Sequence, residues 1–228
     1  MLNLLIACLL VGAPVAGRGG AGALIDKLVA EYGGARRVAA ARALRQKGRV
    51  VTERRGSAAL VREFERPDRL RVELKYPDTT EVRLLDGARA FRGGQPVGGP
   101  MRDAMLLQTA RLDLPALLQE ARGRVGDLGV QERGGLALRA LLVPLGGGLE
   151  LTVYVDERSG RIVRSEGGVP AGAMGRLEFW TNYSDFRRVK GMLFAFTEEN
   201  FASGTRTGQT QLDTIEVVDA LPAATWKP

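Results

Sequence analysis

Phe64-Glu65-Arg66-Pro67-Asp68-Arg69-Leu70-Arg71-Val72-Glu73-Leu74 is the stretch that decides how this chain is read. An Arg-Pro corner leads into a strictly alternating run. Leu70, Val72, Leu74 and Tyr76 fall on one side, and Arg69, Arg71, Glu73 and Lys75 fall on the other. Successive side chains of a strand point to opposite faces, so the run predicts a strand with one buried face that needs a cover. Asp86-Gly87 supplies the next tight turn.

The same period of two extends in both directions. It predicts strands near 44–54, 58–65, 69–76, 80–85 and 88–92, then near 136–143, 149–156, 161–166, 175–184, 192–202 and 206–218. Short turn signals separate them, among them Arg55-Gly56-Ser57, Pro77-Asp78, Lys190-Gly191 and Ser203-Gly204. Consecutive strands joined this way make an antiparallel meander rather than a βαβ fold.

Helical periodicity appears in two places. Leu24, Ile25, Leu28 and Val29 share one face of a helix over 23–32 that Gly33-Gly34 closes, and a short second helix follows near 35–42. The other is an insertion at 101–122 with Met105, Leu106, Leu112, Leu117 and Leu118 as its apolar positions. A closed barrel has little room for both. The expected fold is therefore mainly β with α: a half-open antiparallel β-barrel of about eleven strands, covered by an N-terminal helix and a central helical lid.

Composition bounds the function classes. At 228 residues the chain can bury a substantial core, and 45% hydrophobic with 26% charged residues describes an ordinary globular protein. The net charge of +7 comes almost wholly from arginine, since Lys27, Lys47, Lys75, Lys190 and Lys227 are the only lysines. The arginines are scattered among acids rather than gathered in blocks, and no basic helix or aromatic RNA-binding signature occurs, so nucleic acid is not an expected partner. Residues 1–17 read as a secretory signal, with an apolar run from Leu2 to Val11 and a cleavage site after Val15-Ala16-Gly17. The expected organisation is that signal followed by a single domain over 18–228. Leu5-Ile6-Ala7-Cys8 is lipobox-like, but the short stretch before Cys8 and the apolar run continuing past it weigh against a lipid anchor.

Catalytic chemistry is hard to place. The chain has no histidine, and its one cysteine lies in the signal. No nucleophile-elbow, Ser-x-x-Lys or Walker motif occurs, and Gly17-Arg18-Gly19-Gly20-Ala21-Gly22 follows no strand, so it carries no dinucleotide. Glu198 and Glu199 fall on opposite faces of a strand and cannot act as a pair. The sequence predicts neither an enzyme, a cofactor nor a metal.

With the helix–Gly-Gly–helix entry, the Arg66-Pro67 corner, the Asp86-Gly87 turn and the central insertion in view, the chain resembles the LolA/LolB-like family of lipoprotein carriers and sorting proteins. Phe179-Trp180-Thr181-Asn182-Tyr183-Ser184-Asp185-Phe186-Arg187, Gly191-Met192-Leu193-Phe194 and Glu199-Asn200 look like its broader lipoprotein-sorting branch. The resemblance covers about Ala23 to Pro228, with Leu70 where an aromatic residue often follows the corner. It implies a periplasmic, monomeric carrier that takes acyl chains of lipoproteins or other lipids from a membrane-bound donor to an acceptor.

The expected cavity has Leu70, Val72, Leu74, Leu84 and Phe91 on the sheet side, and Met105, Leu106, Leu117 and Leu118 on the lid side. In the carrier the arginine of the corner fastens the lid, and here that position is Arg66. An envelope-stress sensor on the same fold, without transport activity, is the alternative reading.

Overall fold

The structure is a computed structural model that describes residues 18–228; the expected signal segment, with Cys8, lies outside the described residues. Helices α1 (Arg18–Glu31) and α2 (Ala35–Ala40) enter the fold, joined through Gly33 and Gly34, which both take positive φ. The first run of strands is β1 (Ala43–Thr52), β2 (Gly56–Glu65), β3 (Arg69–Lys75), β4 (Thr80–Asp86), β5 (Arg89–Arg92) and β6 (Gln95–Val97). Helices α3 (Gly99–Arg111) and α4 (Leu114–Glu120) interrupt it. The second run is β7 (Gly126–Arg133), β8 (Leu136–Gly146), β9 (Leu149–Asp156), β10 (Arg161–Pro170), β11 (Arg176–Val189), β12 (Met192–Ala202) and β13 (Thr205–Val218).

All strands belong to one antiparallel sheet in the order β6-β5-β4-β3-β2-β1-β13-β12-β11-β10-β9-β8-β7. β6 and β7 are its free edges, so the barrel is open. The count is 13 rather than about eleven, because both edge strands escape the periodicity. β6 has three residues with Pro96 at its centre, which is tolerated only where no ladder bond is needed. β7 carries Gly126 and Gly129 and breaks register between Asp127 and Val130. Neither presents an alternating apolar face to read.

The helices sit against the concave side. Leu24, Ile25, Leu28 and Val29 of α1 join Leu107 of α3, Leu118 of α4 and the wall formed by Leu141, Val143, Leu151, Val153 and Val155. A second cluster gathers Leu60, Leu70, Val72, Leu74, Leu85 and Ala90 with Met105 and Phe196. α3 thus lies between the two wings of the sheet and contributes to both cores.

Strong curvature needs breaks in the ladder. At Gly48 the register of β1 against β13 slips, and a Cβ there would stand 2.1 Å from the Gln211 carbonyl oxygen. In β11 the break falls at Asp185, whose φ of 53° is left-handed and whose carboxylate takes two hydrogen bonds from Arg187. The Lys190-Gly191 and Ser203-Gly204 hairpins have positive φ at both central residues, matching the strand twist as their sequences predict.

Candidate functional site

Arg66 is the junction of the whole arrangement. It stands at the end of β2, in a cis peptide with Pro67, with its guanidinium turned toward the helices. Nε and Nη2 donate to the two carboxylate oxygens of Asp113, Nη2–Oδ1 at 2.7 Å. Nη2 also donates to the Val38 carbonyl at 2.8 Å, and Nη1 to the Ala39 carbonyl at 3.3 Å. One side chain therefore ties the sheet corner to the unsatisfied carbonyls at the end of α2 and to the residue between α3 and α4. Burial pushes the Asp113 carboxyl up to about 6, against the opposing pull of Arg66, with Glu120 adding to the rise.

Strand register decides which of the expected residues face the helices. Leu70 lies opposite Phe64 and Leu85, Val72 opposite Arg62 and Arg83, and Leu74 opposite Leu60 and Glu81. Residues directly opposite share a face, so Leu70, Val72 and Leu74 point inward with Leu85 and Arg83. Leu84 and Phe91 have the other parity. They pack on the convex side with Leu221 and Trp226, beneath a C-terminal 3₁₀ turn over Ala223–Trp226. The structure does not bring these two to the cavity. Ala90 takes the inward place on β5 instead.

The expected lid residues divide too. Met105 and Leu118 are fully buried, in the clusters of the first and second wing respectively. Leu106 and Leu117 are partly buried and line a cleft of about 840 Å³ beside Arg66, between α3–α4 and the β8–β9 hairpin. The helices themselves fill most of the apolar hollow. The space that remains is different in kind.

Beneath α3 is a cavity of about 260 Å³, with Val72, Leu74 and Leu60 on one side and a polar belt on the other. Arg62 anchors that belt. Its Nε donates to Gln46 Oε1 at 2.6 Å, and Nη1 and Nη2 donate to Glu198 at 3.0 and 2.6 Å. Arg83 reaches across to Gln108 of α3 at 3.5 Å, and Arg111 at the end of α3 donates to the Phe179 carbonyl at 3.0 Å. Burial lowers the pKa of both Arg83 and Arg111, so each charge sits where the neutral form is favoured relative to water. A smaller void of about 70 Å³ adjoins it, sharing Arg111, Leu112, Tyr183 and Glu198 and closed by Met192 and Phe194. The Tyr183 hydroxyl shares a 2.7 Å hydrogen bond with Ser165, and burial raises its pKa to about 12.

Sequence reading placed Arg66 but passed over Asp113, Arg62, Arg83, Arg111 and Glu198 as site residues. Arg62 and Arg83 occupy inward positions of β2 and β4, where an apolar residue is the ordinary choice. That signal was present in the alternation of Leu60-Val61-Arg62-Glu63-Phe64, once the inward parity is known. Among the described residues no cluster of metal-ligating side chains occurs, and no helix is long and apolar enough to cross a membrane.

No protein-family model matches the sequence, and no curated protein does. Solved structures do. A putative outer membrane lipoprotein-sorting protein domain from Vibrio parahaemolyticus aligns with a TM-score of 0.55 at 11% identity, over 92% of this chain and 97% of that one. A LolA superfamily protein from Nitrosomonas europaea gives 0.55 at 12%, over 82% and 90%. A DUF1329 family protein from Desulfovibrio piger gives 0.52 at 10%, over 90% and 95%. An open antiparallel sheet wrapped around helices, matched over 82–92% of the chain, establishes that this chain has a LolA-like fold.

Proposed function

We propose that the protein is a periplasmic carrier that holds the acyl chains of lipoproteins or other lipids between its curved sheet and the α3–α4 pair. It receives them from a membrane-bound donor, delivers them to an acceptor, and does no covalent chemistry. The observation that carries this reading is the set of contacts made by Arg66 to Asp113, Val38 and Ala39. They fasten both helical segments to the sheet at one point, so loss of one contact set frees the cover. The LolA-like fold supports the same reading.

The closed hollow is occupied by the protein's own side chains, Met105 and Leu107 of α3 among them. An entering acyl chain replaces these, so the exchange trades one apolar burial for another and needs only modest net free energy. Transfer of a methylene from water is worth about 0.8 kcal/mol, so a long chain gains on the order of 10 kcal/mol, enough to offset displacement of a few helix side chains. Met101 and Met105 suit a surface that repacks around different chains.

Mass spectrometry of an organic extract from the purified protein tests the proposal. It should reveal a stoichiometric acyl-bearing amphiphile, and Leu74→Glu or Leu106→Glu should reduce it severely while the β-sheet circular dichroism is kept. Lipid-free protein that also fails to take up any acyl amphiphile when supplied with one would end the carrier reading.

A further inference from the structure

The cavity beneath α3 holds more positive charge than its own residues neutralise. Arg62 is fully engaged with Gln46 and Glu198, leaving Glu198 committed to that pair. Arg111 has no carboxylate within ion-pair distance among the described residues, and its buried Nε–H has no acceptor. Arg83 has one carboxylate nearby, and that pairing is loose. Its Nε lies 3.5 Å from Glu81 without a hydrogen bond, and Glu81 is shared with Arg55 at 3.2 Å and Arg92 at 3.4 Å.

Guanidinium groups do not shed their charge in proteins, and an unmatched buried charge is destabilising by several kcal/mol. A surface helix or strand would point these side chains to solvent. Here Val72 pairs across the sheet with Arg83, which forces the guanidinium to the inside, and Arg111 is directed inward from the last turn of α3. Arg83 from the sheet and Arg111 from its cover thus line one space, together with Gln108, Thr210 and Asn200. A planar guanidinium is matched in shape and charge by an oxyanion.

We propose that Arg83 and Arg111 form a binding site for an oxyanion, a carboxylate or a phosphate, inside the hollow. The inference rests on the carrier reading for its natural occupant, an amphiphile whose acidic group lies between the two arginines while its chain runs along Val72 and Leu74. Because one arginine is on the sheet and the other on α3, the bound anion bridges the two, and the cover is held more firmly when the site is filled. The charged group and not the chain then sets which amphiphile is selected.

Titration calorimetry on the delipidated full chain with oleate, oleoyl lysophosphatidate, monoolein and inorganic phosphate tests this. Oleate or lysophosphatidate should bind at least about ten-fold tighter than monoolein, the range expected for hydrogen bonds to a charged group. Arg83→Met and Arg111→Met should each collapse that ratio toward unity. Arg111→Met removes a charge that has no carboxylate partner, so its melting temperature without ligand should equal or exceed that of the parent, whereas Arg83→Met also gives up the Glu81 contact and should melt slightly lower. If either variant does not fold, the four-ligand comparison on the parent protein decides alone. Monoolein binding as tightly as oleate would overturn the oxyanion site and leave the carrier reading standing. Phosphate binding without any amphiphile binding would uphold the site and remove the carrier reading. Binding of none of the four would overturn the site.

Discussion

Arg66 and Asp113, 47 positions apart in the chain, meet side-on in a two-pronged ion pair at the rim of the hollow, with side-chain exposures of 13% and 20%. The same guanidinium caps the carbonyls that end α2. Removing it strands a buried carboxylate and leaves those carbonyls without their side-chain partner. Arg66→Ala should therefore cost about 3 kcal/mol of stability by chemical denaturation. Amide exchange should show the loss concentrated in α2 and α3–α4, with the central strands still protected. Uniform loss across the sheet would contradict a local fastening role.

Asp113 gives the closed arrangement a pH dependence. Burial raises its carboxyl from 3.8 to about 6, Arg66 opposes the rise and Glu120 reinforces it. In the opening that the proposed carrier function requires, the carboxyl returns toward its ordinary value. The closed state therefore binds the proton more tightly, and it gains stability as pH falls from about 6 toward 4, by on the order of 2–3 kcal/mol. Above pH 7 the charged carboxylate favours opening by comparison. Exchange rates of α3–α4 amides, corrected for intrinsic rates, should fall over that interval, and Asp113→Asn should flatten the profile.

The close approach of α3 to the sheet depends on Gly167. A Cβ there would stand 2.7 Å from Leu151 Cδ2, 3.0 Å from the Glu150 carbonyl oxygen and 3.3 Å from Leu107 Cδ2. Gly167→Ala should cost about 1–3 kcal/mol through overpacking. Gly48→Ala meets backbone rather than side chains, with the Gln211 carbonyl oxygen at 2.1 Å, so the bulge cannot give way and the loss should be larger. Thermal melts of the two variants rank them.

Leu84→Ala and Leu118→Ala separate stability from binding. Both side chains are fully buried, and each truncation should cost about 2–5 kcal/mol. Leu84 lies on the convex side with Trp226, away from the hollow. Lipid content per folded molecule should be unchanged by Leu84→Ala. A matching fall in lipid content would place Leu84 back in the binding wall.

The inward-outward alternation of β3, the helical insertion and the Arg66 corner were legible in the sequence because each rests on a local pattern. Parity between strands was not. Leu84 and Leu85 are adjacent and both apolar, and only the register of β4 against β3 determines that Leu85 faces the helices. The same ambiguity hid Arg83. Asp113 was silent for another reason, since its partner is distant in the chain and no local spacing announces the pair. The C-terminal turn with Trp226 was missed because it contributes no strand or helix period, only a cap over the outer face.

The sheet order places β1 against β13, with Ala43 opposite Val218 and Thr52 opposite Gly208. The two wings are therefore sewn together by β13, the strand of this sheet furthest from β1 in chain order. Closing so long a loop carries a large entropic barrier, and assembly should be slow relative to the hairpins within each wing. Until that strand docks, β1 and β12 each present a bare edge on a half-finished molecule. A chain ending before Thr205 should accumulate in that condition and self-associate through those edges.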